Sequence, residues 1–393
     1  MNGKERIALA MRNEVPDRVP VMCQLSWGHY MLNTDVPPHV MYFSSEAFAQ
    51  ALVDLQRRYR FDGILIDMTG RPDDLLDRVA SIEQTDDGEK LTWETGEISF
   101  HPWDDSPQHY PGDSGRKEFF DFAVDEPDDL DRIDELVRGC WCMYHMPFAL
   151  GKADAAPMTE VPPYMFNTID RVLELVDGEV SVHGEVFSPF TLLMLITGYE
   201  DALMGLLTDP VKAHALLERL TVPAITWAVA QAQRGCDAVL LSSPFAGGPF
   251  LSPKMYKEFV IPYEKRVTDA IHAQGVVAYT HTCGGIGDRL DLMIETGTAG
   301  IDTLDPPPLG NVELADAKAQ VGDKVFLKGN MNSVELLQAT TERDVVAHAT
   351  DRISIGKPGG GYILSTACSV APHTEPWKLE MLTPLAEEIG RYE

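Results

Sequence analysis

The sequence predicts an α/β fold, a (β/α)8 TIM barrel formed by one domain over residues 1–393, and three observations predict it. Short apolar runs recur eight times, and each is followed by a stretch with apolar residues at three- and four-residue spacing. The chain has 393 residues of which 44% are hydrophobic, long for an ordinary domain but within reach of a barrel with insertions. A single polar stretch bearing a hairpin interrupts the rhythm, and it reads as an insertion after the second strand.

The first strand is Arg18 to Cys23 (RVPVMC). A helix around Ser45 to Arg60 leads into the second, Asp62 to Asp67 (DGILID). Val180 to His183 is the third. Asp237 to Ser242 is the fourth, preceded by the long helical pattern Thr221 to Arg234. Val276 to His281, Gly300 to Leu304, Lys324 to Lys328 and Gly361 to Thr366 complete the set. Helical segments such as Lys254 to Ala273 and Val334 to Ile353 lie between them. Alternating strand and helix implies a parallel sheet, and eight repeats imply closure into a barrel. The interruption runs from Ile82 to Pro163. It opens on alternating residues around Thr85-Asp86-Asp87-Gly88, a β-hairpin signal. The insertion and its flank carry Met143, Met146, Met158, Met165, Tyr144, Phe148, Tyr164 and Phe166, suited either to an apolar lid or to packing the insertion on the barrel. Gly356 to Gly361 (GKPGGG) lacks P-loop spacing and precedes a strand, so it reads as a turn on the face away from the site.

Thirty-two basic against 61 acidic side chains leave a net charge of −29. So negative a surface repels nucleic-acid phosphates and anionic lipid, so neither is an expected partner. The apolar runs are too short to span a bilayer, and the charged start Met1-Asn2-Gly3-Lys4-Glu5-Arg6 lacks a signal-peptide core. A cytoplasmic protein is expected. Its six cysteines, Cys23, Cys140, Cys142, Cys236, Cys283 and Cys368, are then reduced thiols that either pack or bind metal.

Barrels of this class place reactive groups where strands end. Here those positions are Gln24, Asp67, Glu185, Ser242, Ser243, His281 to Cys283, Asp305, Asn330 and Cys368, nearly all polar or metal-capable. In His281-Thr282-Cys283-Gly284-Gly285, residues two apart in extended chain face the same side. Cys368 closes the eighth strand and faces the same mouth. One imidazole and two thiolates leave a fourth tetrahedral position open, as in catalytic zinc. Buried cysteine at a strand end is the ordinary alternative, and the pattern alone leaves both open. A second cluster, Cys140-Trp141-Cys142 with His145, has no evident fourth ligand. A zinc site neutralised by two thiolates deprotonates an incoming thiol yet leaves its sulfur nucleophilic, which suits alkyl transfer. Hydrolytic zinc relies on harder ligands.

The chain resembles the uroporphyrinogen decarboxylase superfamily. The carriers are Asp17-Arg18-Val19-Pro20, Ser188-Pro189-Phe190-Thr191-Leu192, Leu251-Ser252-Pro253-Lys254 with Phe259 to Tyr263, and Lys328-Gly329-Asn330. Within it the chain looks like the cobalamin-dependent methyltransferase branch, whose zinc motif is His-x-Cys followed far downstream by Cys. The resemblance implies that His281, Cys283 and Cys368 bind zinc, and that a methyl group moves between a corrinoid, methylcobalamin or a corrinoid protein partner, and a thiol such as coenzyme M or another small acceptor. Glu185, Asp305 and Asn330 are candidates for positioning, Glu185 also for the fourth zinc position, with capping of loops or helices as the alternative. The decarboxylases carry an arginine-rich loop after strand one. Here that stretch reads Cys23-Gln24-Leu25-Ser26-Trp27-Gly28-His29, which leaves an octacarboxylate without counter-charges. A demethylase acting on the methyl donor side, a metal-free lyase and a non-catalytic binding protein are the other readings.

Overall fold

The structure, a computed structural model, describes residues 1–110, 120–132 and 160–393. After strand β1 (Gly63–Ile66) the chain builds a separate antiparallel sheet from β2 (Val79–Gln84), β3 (Gly88–Trp93), β4 (Ile98–Pro102) and β5 (Gln108–Tyr110). It then returns with β6 (Ser181–Phe187), β7 (Ala238–Ser242), β8 (Val277–His281), β9 (Gly300–Thr303), β10 (Phe326–Met331) and β11 (Tyr362–Thr366). These seven, β1 and β6 to β11, pair in parallel in chain order, with helices between them. Their residues are buried almost throughout, as a parallel sheet covered by helices requires.

The first predicted strand is the stave that closes the ring. Leu364 N–H donates to Pro20 O and Met22 N–H to Leu364 O, while Asp62 N–H, just before β1, donates to Val21 O. Pro20 offers no N–H, so the pairing is by isolated bridges, Val21 with Leu364 and Leu25 with Val370. The barrel interior holds Met22, Leu65, Ala238, Leu240, Tyr279, Phe326 and Ile363 in one apolar cluster. The helix Gly3–Met11 plugs its floor with Ile7, Ala10 and Met11. That helix is anchored by charge: Arg6 donates to Asp17 and Asp62, and Arg18 also donates to Asp62, which is 4% exposed.

The glycine turn Lys357–Gly361 packs at this floor, where Cβ atoms on Gly360 and Gly361 would meet Glu14 and Asn13, away from the mouth as expected. Two strand bounds differ from expectation. β6 runs on to Phe187 and β10 to Met331, so Glu185 and Asn330 lie inside strands and not beyond their ends. Strand ends rest on long-range register, which a local apolar run does not encode. Met165 is buried and Phe166 packs on Trp227. Tyr164 is partly buried against the core, while Met143, Met146, Met158, Tyr144 and Phe148 lie outside the described residues. Among the described residues no single helix is long and apolar enough to cross a membrane.

Candidate metal centre

Two strand ends deliver the three soft-donor side chains to one point. Tyr279 belongs to the interior cluster, so His281, two residues on, faces the interior as well. The chain then passes through Cys283 to Gly284, whose φ of +75° is the left-handed conformation that favours glycine. Gly284 N–H donates to Asp305 Oδ2 at 2.7 Å, which fixes the turn. The loop after β7 approaches so closely that a Cβ on Gly247 would meet Cys283 O at 2.4 Å. Cys368 follows β11, 85 residues downstream of Cys283.

His281 Nε2 lies 3.3 Å from Cys283 Sγ, and Cys283 Sγ lies 3.9 Å from Cys368 Sγ. The three donor atoms are within 4.8 Å of one another. Zn–S bonds of about 2.3 Å at a tetrahedral angle separate two sulfurs by about 3.8 Å, and a nitrogen from a sulfur by about 3.6 Å. The spacing and the soft donor set therefore fit zinc.

The ring is oriented from behind. His281 Nδ1 lies 3.1 Å from Asp302 Oδ2, and Lys328 Nζ donates to Asp302 Oδ1 at 3.0 Å. With the carboxylate as acceptor, Nδ1 carries the proton and Nε2 turns to the thiols. Burial works against the Asp302 charge, but Lys328 and His281 hold its pKa down at about 2. Burial also opposes charge on His281, yet Asp302 and Cys368 outweigh it and push the imidazole up to about 10. Of the two thiols, hydrogen bonding to Cys283 draws Cys368 down, and Cys283 rises in consequence.

The other expected site residues divide. Asp305 sits beside the cluster, and burial, with the negative charge of Cys368 and Asp302, raises its pKa despite the Gly284 hydrogen bond and His281. Glu185 is 7% exposed, and neither carboxylate oxygen completes a hydrogen bond of ordinary geometry. It is not among the three converging residues. Burial raises it to about 7, against the pull of Ser242 and His281. Asn330 is buried, its amide donates to Leu304 O and Val312 O, and Arg352 donates to its oxygen. Cys140, Trp141, Cys142 and His145, the second cysteine cluster, lie outside the described residues. Asp302 and Lys328 escaped the search for strand ends because both lie within strands. The signal that finds them is a charged residue inside a short strand whose neighbours are all buried.

The sequence profile of the family "Uroporphyrinogen decarboxylase (URO-D)" matches residues 150–389. The methylated-thiol–coenzyme M methyltransferase of Methanosarcina mazei is 26% identical over 233 residues, 59% of this chain and 60% of that protein. The methylcobamide:CoM methyltransferase MtbA of Methanosarcina acetivorans is 26% identical over 224 residues, 57% of this chain and 62% of that protein. Each match thus spans less than two thirds of the methyltransferase concerned. A uroporphyrinogen decarboxylase from Thioalkalivibrio sulfidiphilus is 29% identical over 253 residues, 62% of this chain and 68% of that protein. A solved methyltransferase from Methanosarcina mazei superposes with a TM-score of 0.70 at 17% identity over 99% of both chains, a likeness of fold.

Proposed function

The chain belongs to the uroporphyrinogen decarboxylase family, and from that premise we propose that it is a zinc-dependent methyltransferase moving a methyl group between a corrinoid and a small thiol. The convergence of His281, Cys283 and Cys368 at zinc-ligand spacing carries the reading. A lyase acting on a polycarboxylate needs several cations in the barrel mouth. Residues 23–29 hold no arginine, and Arg71 is engaged with Tyr42 O, Thr69 O and Thr69 Oγ1. Two coenzyme M methyltransferases among the relatives favour the same reading.

In this proposal His281 Nε2, Cys283 Sγ and Cys368 Sγ hold the metal, and Asp302 keeps the imidazole in the tautomer that presents Nε2. Lys328 keeps Asp302 ionised. Asp305 holds the Gly284 turn and with it the Cys283 backbone. Zinc bound there supplies Lewis acidity that turns an incoming thiol into thiolate at neutral pH. The methylated corrinoid, free or on a partner protein, approaches from the open mouth.

Purified protein is expected to carry about one zinc per chain, as a single site requires. Incubated with free methylcobalamin and a thiol, it should show thiol-dependent loss of the methyl–cobalt visible spectrum, and chelation should abolish that loss. Cys368→Ser should lower both zinc content and rate. Full zinc retention in that variant, or demethylation that a chelator leaves untouched, would overturn the proposal.

A further inference from the structure

On the closing stave, β1 and β6, at the same mouth as the three soft donors, lies a group of buried acceptors. The register of β1 on β6, Leu65 with His183 and Ile66 with Gly184, carries Asp67 level with Glu185. His183 faces the interior, where its Nδ1 meets Tyr279 Oη at 2.9 Å, and Glu185, two residues on, shares that side. Leu65 and Met22 belong to the same interior cluster, so Asp67 and Gln24, each two residues further, point toward the mouth layer too. Asp67 Oδ1, both Glu185 oxygens and Gln24 Oε1 are buried without a hydrogen bond of ordinary geometry, on side chains 9%, 7% and 7% exposed respectively, with the Ser242 hydroxyl pulling on Glu185.

Orphaned acceptors at this depth are rare in folded proteins, and each is costly unless a donor fills it in the working state. The nearby basic groups are committed elsewhere. Lys328 is bound to Asp302, and the two His183 nitrogens are bound to Ser181 and Tyr279. Burial and mutual repulsion raise Asp67 well above the ordinary carboxylate range, as expected of two acids facing each other with no cation between them.

We propose that Gln24, Asp67 and Glu185 form the subsite for a positively charged ammonium group on the small molecule whose sulfur is alkylated at the zinc. The acceptor is then an aminothiol and not a thiol bearing a sulfonate or carboxylate. An ammonium supplies three donors and one positive charge to four unfilled acceptor atoms. An anionic tail would bring further acceptors and no donor to the same corner, inside a protein of net charge −29. This inference rests on the zinc methyltransferase reading for the position of the sulfur and on the orphaned acceptors for the position of the charge.

The test uses zinc-loaded protein, free methylcobalamin and three two-carbon thiols: cysteamine, 2-mercaptoethanol and 2-mercaptoethanesulfonate. Their kcat/KM values are compared, and their Kd values are measured by calorimetry without the corrinoid. Cysteamine is expected to exceed the sulfonate by at least about ten-fold in both. In Asp67→Asn and Glu185→Gln, the ratio of cysteamine to mercaptoethanol should fall toward one. The intrinsic thiol acidities are the same for every variant, so a change in that ratio reports on the subsite. Preference for the sulfonate by the unmodified protein overturns the inference, and so does a cysteamine preference that survives both variants. A second zinc per chain that disappears in Asp67→Asn also overturns it, by assigning the acceptors to a metal. If none of the thiols is methylated, the methyltransferase reading fails, and the calorimetric ratio still decides the ammonium subsite on its own.

Discussion

Asp302 connects the three converging soft donors to the barrel. Its two oxygens face a histidine that turns its other nitrogen to the thiols and a lysine with no exit to solvent. A neutral replacement changes both contacts. Asp302→Asn removes the charge that orients the His281 ring and leaves Lys328, 1% exposed, as an uncompensated buried cation. Zinc affinity is expected to fall by about 10- to 100-fold, the usual effect of losing such an outer partner. Competition with a chromophoric chelator measures it, and an unchanged affinity would show that the ring is held by other means. Pairing the change with Lys328→Met removes the stranded cation, so stability should recover while zinc affinity does not. That split separates an orienting role from a purely structural one.

At the scale of elements, the helix Ile261–His272 packs a glutamate against the two strand ends beside the site. Glu264 is fully buried, near Ser188, which begins the helix Pro189–Thr197, and Ser243, which follows β7 and whose N–H donates to His281 O. Burial raises its pKa to about 7, although the Ser243 and Ser188 hydroxyls pull it back. The folded state therefore binds a proton that the unfolded chain, with an ordinary glutamate near 4.5, has released. The contribution is fully favourable below the unfolded value and is lost as pH rises through about 7. Glu264→Gln stays neutral throughout. It should be more stable than the parent at pH 8 by about 1–3 kcal/mol, with the difference vanishing toward pH 5. Denaturant melts at the two pH values measure this, and an equal difference at both would assign the effect to packing.

For the whole molecule, closure of the ring depends on one buried carboxylate. Asp62 accepts from Arg6 on the floor helix and from Arg18 on the closing stave, and it also accepts from Val21 N–H. It thus joins the first and second staves to the plug beneath them. Asp62→Asn leaves two guanidinium groups buried and half-paired, and is expected to cost about 3–5 kcal/mol of global stability. Because the pair lies at the floor, zinc content per folded chain should not change. Loss of zinc without loss of stability would place Asp62 in the site and contradict this picture. The Asp17-Arg18-Val19-Pro20 motif that marks the family in the sequence has its physical role here, in closing the barrel.

Much of this was legible from local pattern. Eight apolar runs correspond to the seven paired strands and the closing stave, because burial on both faces of a parallel strand leaves an uninterrupted apolar signature. The three soft donors were legible for a similar reason, since polar residues just past such runs stand out. Asp302 and Lys328 were not, because a buried charge is tolerable only with its partner, and those partners lie 21 and 26 residues away in sequence. The amide of Asn330 is taken up by Leu304 O and Val312 O in the loop after β9, a pairing that the sequence does not show. The sequence by itself determined the kind of barrel and the soft side chains at its mouth, through periodicity and residue chemistry. Only the tertiary structure decided which polar groups neutralise one another and which remain unpaired. Pairing is set by distance across staves, and the order of residues along the chain does not contain it.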